Sequence, residues 1–187
     1  PRAEDFQLLA SQSERCRAIL AQLSANREHG DVMLQRAPMR ALLEEAASPH
    51  EGLGADIVIS AEGDGPIDVR RMPEIVHALG GFIENAVGFA KSRVDIEARW
   101  DAERVEISIR DDGPGFSPAI LGRIGEPYLT ERDHEGMAGG LGLGFFISKT
   151  LLERTGAKLE VLNRKLPNQG AVVKAVWPRA SIEAPAL

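Results

Sequence analysis

The stretch Asp111-Asp112-Gly113-Pro114-Gly115 follows a segment, residues 105–110, in which apolar and polar side chains alternate strictly. Alternation of this kind predicts a half-buried strand that ends at Asp111. A buried carboxylate is costly unless a hydrogen-bond donor meets it, and the amino group of a ligand would be such a donor. Gly113 and Gly115 can adopt backbone angles closed to other residues and would let a ligand approach closely. The alternative is an ordinary Asp-Gly turn, because such turns are common at strand ends.

A glycine-rich segment lies further along the chain, at Gly139-Gly140-Leu141-Gly142-Leu143-Gly144, and an apolar run over residues 145–152 follows it. From Leu141 onward, the spacing of leucines and phenylalanines predicts a helix. Glycines at the start of a helix leave backbone N–H groups free, and these groups together with the helix dipole form an anion site suited to phosphate. The alternative is a flexible loop before a core helix, but glycines interleaved with leucines favour the anion site.

A third segment precedes both of these and runs Phe82-Ile83-Glu84-Asn85-Ala86-Val87. Its apolar side chains recur at helical spacing, and Asn85 falls close to the apolar stripe. A single Asn on a helix is more often a surface or capping residue. Its side-chain oxygen is also a suitable ligand for Mg²⁺, which usually keeps several waters and binds substrate phosphates.

Taken in order, the three segments resemble the ATP-binding catalytic domain of sensor histidine kinases, which belongs to the gyrase, Hsp90, histidine kinase and MutL superfamily. Asn85 matches the N box, residues 111–115 match the G1 box, and Gly140-Leu141-Gly142-Leu143 matches the G2 box. Glu126-Pro127-Tyr128 lies where the F box is expected. The resemblance covers roughly residues 38–178, and the combination of motifs is specific although each motif alone is not.

Three stretches narrow the resemblance further. Residues 83–87, 125–130 and 140–147 look like the RegB/PrrB/ActS group of kinases. Those proteins are redox-responsive global regulators in proteobacteria. The resemblance therefore implies a kinase of a two-component system, with redox sensing as its signalling context.

The resemblance implies an α/β two-layer sandwich of the Bergerat type, with a mixed sheet and helices on one face, preceded by one long amphipathic helix. Residues 1–30 would form the second helix of a dimerisation and phosphotransfer hairpin whose first helix is absent, and residues 31–38 a linker. Residues 39–178 would form the catalytic ATP-binding domain, and residues 179–187 a loose tail. Cys16 lies in the apolar stripe of the first helix and is expected to be a small buried residue.

Periodicity and turn residues also predict the elements of the catalytic domain. Helices are expected over residues 39–47 and 73–90, with Pro73 at a first-turn position where its missing N–H costs little. The expected strands are 56–60 with 67–70 as its partner, 94–100 and 104–110 as a hairpin, and 158–163 and 171–177 as closing strands.

The resemblance further implies a role for each site residue. Asp111 would accept a hydrogen bond from the adenine amino group of ATP, and Gly113 and Gly115 would give the base room. Asn85 would be the catalytic residue that holds Mg²⁺ against the phosphates. Further phosphate contacts would come from the backbone of Gly140, Leu141, Gly142 and Leu143 and from Thr130 and Arg132 in the ATP lid.

The composition limits the partners of this chain. Its 187 residues carry a net charge of −6, so no broad attraction to nucleic acid or to an anionic membrane is implied. The single cysteine excludes an internal disulfide framework. We expect a soluble, cytoplasmic fragment of a protein that the resemblance allows to be anchored in the inner membrane. Its partners would be a second copy, bound through the N-terminal helix, and a response regulator.

The histidine that accepts phosphate in this family lies in a His-Glu/Asp-x-x-Pro-like context. The chain has four histidines, His29, His50, His77 and His134. His50 comes nearest to that context, but Gly54 stands where the proline would be. We therefore expect the chain to bind ATP without phosphorylating itself.

Three positions depart from the family pattern. Gly81 stands where histidine kinases often carry a first Asn and ATPase relatives a catalytic Glu, so activation of water is unsupported. Ala138 replaces a common Gly, and Ala171 replaces a Thr. Two alternatives to a kinase therefore stay open. One is a degenerate nucleotide-binding relative that acts as a dimeric scaffold, and the other is a serine kinase of the anti-sigma-factor type.

Overall fold

The computed structural model of the protein describes residues 36–124, 143–165 and 167–185. In chain order, the described elements are β1 (Arg36–Pro38), α1 (Met39–Ala47), β2 (Asp56–Gly63), β3 (Asp68–Arg70), α2 (Pro73–Phe89), β4 (Arg93–Trp100), β5 (Arg104–Asp111), α3 (Pro118–Leu121), α4 (Leu143–Arg154), β6 (Lys158–Asn163), β7 (Ala171–Pro178) and α5 (Arg179–Ile182). A short 3-10 helix, Ser48–His50, follows α1. No helix within the described ranges is long and apolar enough to cross a membrane.

Five strands form the main sheet in the order β2-β4-β5-β7-β6. β2 runs parallel to β4, whereas the other neighbouring strands are antiparallel, so the sheet is mixed as predicted. The predicted hairpin of β4 and β5 is confirmed, with Val94 opposite Asp111. The predicted pairing of β6 with β7 is confirmed as well. Asp111 therefore ends a strand that has a neighbour on each side.

The helices pack on one face of the main sheet, which confirms the predicted two-layer architecture. α2 contacts β4 and β5, α1 contacts β2, and α4 contacts β6, while α2 also packs against both other helices. α2 begins at Pro73, where no backbone N–H is needed. The apolar stripe of α2 and alternate side chains of the strands are buried against each other, and this core includes Ile75, Leu79, Phe82, Ile83, Ile96, Ile107 and Leu152.

The other face of the sheet carries charged side chains that pair within and across strands. Glu97 on β4 forms ion pairs with Arg99 on the same strand and with Arg110 on β5. Lys174 on β7 lies 3.1 Å from the carboxylate of Glu106 on β5. Because side chains alternate between the two faces of a strand, these charged residues interleave with the buried apolar ones. This is the physical origin of the alternation that predicted the strands.

Strand β3 does not pair with β2, which corrects the prediction that it is the partner strand of β2. It pairs antiparallel with β1 in a separate two-stranded sheet. After β2 the chain stays beside the end of β4, because the N–H of Asp64 donates to the carbonyl of Trp100 at 3.0 Å. Trp100 Nε1 in turn donates to the carbonyl of Gly65 at 2.9 Å. These bonds keep the chain from folding back onto β2.

The described domain begins at Arg36 rather than at Met39. Arg36–Pro38, which the prediction assigned to the linker, forms β1. The guanidinium group of Arg36 lies 2.9 Å from the carboxylate of Asp68 on β3. The predicted helix over residues 1–30, and the rest of the predicted linker, lie outside the described residues.

The C-terminal segment packs onto the domain, so the expectation of a loose tail is wrong for its described part. Arg179–Ile182 forms α5, and Ile182 is fully buried. The N–H of Ala184 then donates to the carbonyl of Asp68 on β3 at 2.8 Å. The tail thus contributes to the core near the two-stranded sheet.

Replacing Ile182 by Ala is expected to lower the free energy of unfolding by about 2 to 5 kcal/mol, because the change leaves a cavity at a fully buried position. Urea denaturation of the variant and of the unsubstituted protein measures this difference. Ala180→Ser, at an exposed position of the same helix, is the control and should have little effect. A loss below about 0.5 kcal/mol for Ile182→Ala would contradict a structural role for the tail.

Candidate functional site

Asp111, the last residue of β5, is almost fully buried, with 4% of its surface exposed. Its Oδ1 accepts two backbone hydrogen bonds, from the N–H of Gly113 at 2.8 Å and from the N–H of Ala171 at 3.1 Å. Ala171 is the first residue of β7, the neighbour of β5 in the sheet. Within the described residues, no group donates to Oδ2, so one oxygen of the carboxylate remains available to a ligand.

Burial raises the pKa of the Asp111 carboxyl group above its ordinary value of 3.8. The backbone hydrogen bonds from Ala171 and Gly113 lower the pKa because they favour the ionised form, and the nearby charge of Asp112 raises it. The carboxylate is therefore fixed in position but only partly compensated for its burial. A donor supplied by a ligand at Oδ2 would offset more of that cost.

Gly113 and Gly115 form a turn in which side chains have no room. A Cβ atom on Gly113 would lie 2.2 Å from the carbonyl oxygen of Phe89, the last residue of α2. Gly115 has a φ of +78°, which favours glycine, and a Cβ there would lie 2.8 Å from Oδ1 of Asn163. From the sequence, we attributed these two glycines to the close approach of a ligand. The structure shows that packing within the fold also favours glycine at both positions.

Asn163, at the end of β6, holds the residue that follows this turn. Its Oδ1 accepts the N–H of Phe116 at 2.7 Å, and its Nδ2 donates to the carbonyl of Phe116 at 2.8 Å. The ring of Phe116 makes an edge contact with Phe145 of α4, and Phe145 makes another with Phe82 of α2, at centroid distances of 6.4 and 4.9 Å. The three rings join the turn after β5 to both helices.

Asn85 lies one turn before the end of α2 and is half-buried. Its Nδ2 donates to the carbonyl of Gly81 at 2.9 Å. Because a carbonyl can only accept, this bond determines which end of the amide is the oxygen. No described residue donates to Oδ1, which leaves a hard oxygen acceptor for a ligand.

The position one turn before Asn85 is filled by the neighbouring helix. A Cβ atom on Gly81 would lie 2.3 Å from Oγ of Ser148 on α4, and Ser148 is buried. Any side chain at position 81 would therefore require Ser148 to shift. The glycine at the place where ATPase relatives carry their catalytic Glu lets α4 approach closely in this packing.

Only part of the predicted phosphate site lies within the described residues. Leu143, the last residue of the predicted G2 segment, is the first residue of α4. The other predicted phosphate ligands lie outside the described residues, namely Gly140, Leu141, Gly142, Thr130 and Arg132. The predicted F box, residues 126–128, lies outside them as well. Their roles stay predictions.

Several groups that build the site were not predicted from the sequence. The N–H of Ala171 binds Asp111 across 60 residues of chain, and the side chain of Asn163 binds Phe116 across 47. Ser148 and Asp112 were not recognised either. Ala171 could have been found, because it begins a predicted strand and antiparallel pairing with β5 brings the start of that strand beside Asp111.

The candidate site thus consists of a buried aspartate at the end of a central strand, a glycine turn after it, and an asparagine on the helix that packs on that strand. Residues 71–181 match the family model of histidine kinase-, DNA gyrase B- and HSP90-like ATPases. This chain belongs to that family.

The curated proteins to which the chain is similar include sensor histidine kinases. Sensor histidine kinase RegB of Cereibacter sphaeroides is 40% identical over 196 aligned residues, which cover 94% of this chain and 42% of RegB. Sensor histidine kinase CpxA of Escherichia coli is 28% identical over 115 residues, which cover 60% of this chain and 25% of CpxA. This chain therefore spans less than half the length of these relatives. Its predicted likeness to RegB is confirmed, and the part that matches the ATPase family is residues 71–181.

Solved structures agree with this fold. The mycobacterial sensor histidine kinase MprB aligns with a TM-score of 0.65 and 21% identity, covering 81% of this chain and 99% of that one. Full-length ShkA in complex with AMPPNP aligns with a TM-score of 0.63 and 24% identity, covering 81% of this chain and 32% of that one. At such identities the alignments establish the fold alone.

The raised pKa of Asp111 predicts a pH-dependent effect of Asp111→Asn on the ligand-free protein. Below the ordinary value of 3.8 the carboxyl group is protonated in both folded and unfolded chains, so burial carries no ionic cost. As the pH rises, the unfolded chain ionises first and the folded state loses stability relative to it. Asn does not titrate, so the variant should gain stability relative to the unsubstituted protein between about pH 3.5 and about pH 7.

Urea denaturation at both pH values measures this difference. Asp56→Asn, at an exposed position at the start of β2, is the matched control for the loss of one carboxylate. If the free energies of unfolding of Asp111→Asn and of the unsubstituted protein differ by the same amount at both pH values, that result would contradict the raised pKa of Asp111.

Proposed function

We propose that this chain binds ATP with Mg²⁺ between the turn after β5 and helix α2, and delivers the γ-phosphoryl group to a histidine. The observation that carries the proposal is that the two carboxylate oxygens of Asp111 differ in their hydrogen bonds. Gly113 and Ala171 hold one oxygen, and the other accepts nothing from the described residues. Such a group binds best a ligand that brings its own N–H donor, which is what the adenine ring offers.

Asp111 would select adenine over guanine. The exocyclic amino group of adenine would donate to Oδ2, the one carboxylate oxygen that is left for the base. Guanine carries a carbonyl oxygen at the equivalent ring position, and an oxygen acceptor facing an ionised carboxylate finds no proton to share. A site built to bind a substrate N–H discriminates strongly against an analogue that lacks it. Gly113 and Gly115 have no side chains, so the turn would leave room for the adenine ring.

Asn85 would hold Mg²⁺ through Oδ1, because its Nδ2 is already bound to Gly81. No group of three or more His, Cys, Asp and Glu side chains able to hold a metal occurs among the described residues. The remaining ligands would therefore be phosphate oxygens and water, as is usual for Mg²⁺. The ion would neutralise charge on the phosphates, which is its main contribution to phosphoryl transfer.

The phosphates would lie toward the start of α4. Phe145, in the first turn of α4, contacts Phe82, one turn before Asn85 on α2. The N-terminal end of α4 is therefore close to the helix that carries Asn85, and a helix N-terminus favours anions. We propose that phosphate oxygens are bound by the backbone of Gly140, Leu141, Gly142 and Leu143 and by the side chains of Thr130 and Arg132.

The proposed reaction needs positioning and charge neutralisation rather than an activated water. Gly81 offers no carboxylate to activate water, which is consistent with transfer to a side chain instead of hydrolysis. The acceptor would be a histidine on the first helix of a dimerisation hairpin, with residues 1–30 as the second helix and a homodimer as the working unit. The phosphoryl group would then pass to a response regulator in the cytoplasm. The resemblance of the sequence to the RegB/PrrB/ActS group implies a redox-linked signal and allows a membrane-anchored parent protein.

Asp111→Asn is expected to weaken ATP binding by about 2 kcal/mol, or roughly thirtyfold. The amide oxygen of Asn would accept the two backbone N–H groups, so its NH₂ group would face the adenine amino group, donor against donor. Isothermal titration with ATP and Mg²⁺ measures the dissociation constant, with Asp56→Asn as the control. Equal affinities of the variant and the unsubstituted chain would overturn the role of Asp111.

Transfer to histidine is tested by complementation. This chain is mixed with a longer version of the same protein that includes the acceptor helix and carries Asn85→Asp, which should silence its own site. After heterodimers form, labelled ATP and Mg²⁺ should give acid-labile, alkali-stable phosphate on the longer chain. The label should vanish when this chain carries Asp111→Asn. Binding of ATP without any label would favour a degenerate kinase, and label on serine would favour the anti-sigma-factor type.

A further inference from the structure

Asp112 binds four donors in the segment that links α2 to β4. Its Oδ1 accepts the N–H groups of Lys91, Ser92 and Arg93 at 2.8, 3.0 and 3.1 Å. Its Oδ2 accepts the hydroxyl of Ser92 at 2.7 Å. Three consecutive N–H groups that converge on one oxygen form an anion-binding concavity of the backbone, and here the anion belongs to the chain itself. The hydrogen bonds, those from Ser92 first, hold the pKa of Asp112 well below its ordinary value.

This cluster joins the two chain segments that carry the ends of the proposed ATP site. Asp112 directly follows Asp111, and the segment that it holds comes directly after α2, the helix that carries Asn85. On the other side of Asp112, Gly113 packs so closely on α2 that a Cβ atom would lie 2.2 Å from the carbonyl oxygen of Phe89. The end of α2 is therefore attached to the turn after β5 at two consecutive residues.

Lys91 extends the connection to the strand on the far side of β5. Its backbone N–H binds Asp112, and its Nζ donates to Oε1 of Gln169 at 3.0 Å. Gln169 stands just before Gly170 and Ala171, and the N–H of Ala171 holds Asp111. The segment that leaves α2 is thus bonded to the same stretch of chain that supplies the N–H of Ala171 to Asp111.

The geometry of these bonds favours a positioning role over a purely stabilising one. All four bonds of Asp112 are exposed to solvent, where water competes for both partners of each bond. Four bonds from a single side chain to one short segment nevertheless leave that segment little freedom to shift. The arrangement therefore restricts position as well as adding stability.

We propose that Asp112 is a positioning residue that sets the distance between Asp111 at the base end of the site and Asn85 at the phosphate end. The inference rests on the proposed function of those two residues. Without the carboxylate of Asp112, the segment after α2 loses its anchor, and α2 can shift relative to the turn after β5. Asp111 and Asn85 then no longer fit the base and the phosphates of one ATP molecule simultaneously, although each residue can still bind its own part of the ligand.

The test compares a ligand that reaches one end of the site with a ligand that reaches both. Adenosine would report on Asp111 alone, whereas ATP with Mg²⁺ would engage Asn85 as well. Titration of the 187-residue chain with each ligand gives the ratio of the two dissociation constants. In Asp112→Ala we expect the advantage of ATP over adenosine to fall about tenfold, with adenosine affinity nearly unchanged.

Asp112→Asn should restore most of the advantage, to within about threefold of the unsubstituted chain. Its amide oxygen can still accept the three N–H groups, and its NH₂ group can donate to the hydroxyl of Ser92. Asp56→Ala is the matched control, because Asp56 is exposed and its own N–H donates to the carbonyl of Ser92 at 2.8 Å. If Asp112→Ala does not fold, Ser92→Ala replaces it, with an expected fall of about twofold to threefold.

Three further outcomes decide the matter. A purely stabilising role would weaken both ligands by the same factor, since each binds only the folded chain, and an unchanged ratio would overturn the inference. Failure of Asp112→Asn to restore the ratio would also overturn it, because the role would then depend on charge rather than on position. If the unsubstituted chain binds neither ligand, the proposed function fails and this inference fails with it.

Discussion

Two backbone N–H groups, from Gly113 and Ala171, hold one oxygen of the buried Asp111 carboxylate. The rest of the structure depends on this arrangement, because a buried carboxylate without such partners would be too costly to retain. Both N–H groups can reach the same oxygen only if the end of β5, the turn after it and the start of β7 keep fixed positions relative to one another. Among the described residues no group donates to the other oxygen. Under the proposed function, that oxygen would accept the amino group of adenine.

Helix α2 transmits this constraint to the rest of the site. It packs on the two strands that form the central hairpin, and its last residue lies against the backbone of Gly113. It also contacts α4 closely at Gly81 and through the ring of Phe82, so both helices occupy fixed places relative to the carboxylate. Asn85 lies on α2, and the contacts of α2 with Gly113 and with α4 leave that helix little freedom to move. The geometry suits a reaction that relies on positioning rather than on an activated water.

Most elements of the domain were predictable from the sequence, because their periodicity is local. The alternation in residues 105–110 and the apolar stripe of α2 each reflect an element with one buried and one exposed face. Such a pattern can be read without knowing which element packs against the buried face. The predictions failed where the partner of a segment was not local. β3 was assigned to β2 by proximity along the chain, but the bonds of Asp64 and Gly65 to Trp100 keep it from folding back. The tail was expected to be loose because one buried Ile182 makes no pattern.

By itself, the sequence determined the order of the motifs, the helices and strands around them, and the kind of ligand they suit. Residue chemistry and short-range spacing suffice for those conclusions. Only the tertiary structure decided which groups hold Asp111, which side chain lies against Gly81, and how Asp112 is bound. These contacts join residues that are far apart in the chain, 60 apart for Asp111 with Ala171 and 47 for Phe116 with Asn163. Such pairs meet only when strands and helices pack, and no local pattern of residues encodes that meeting.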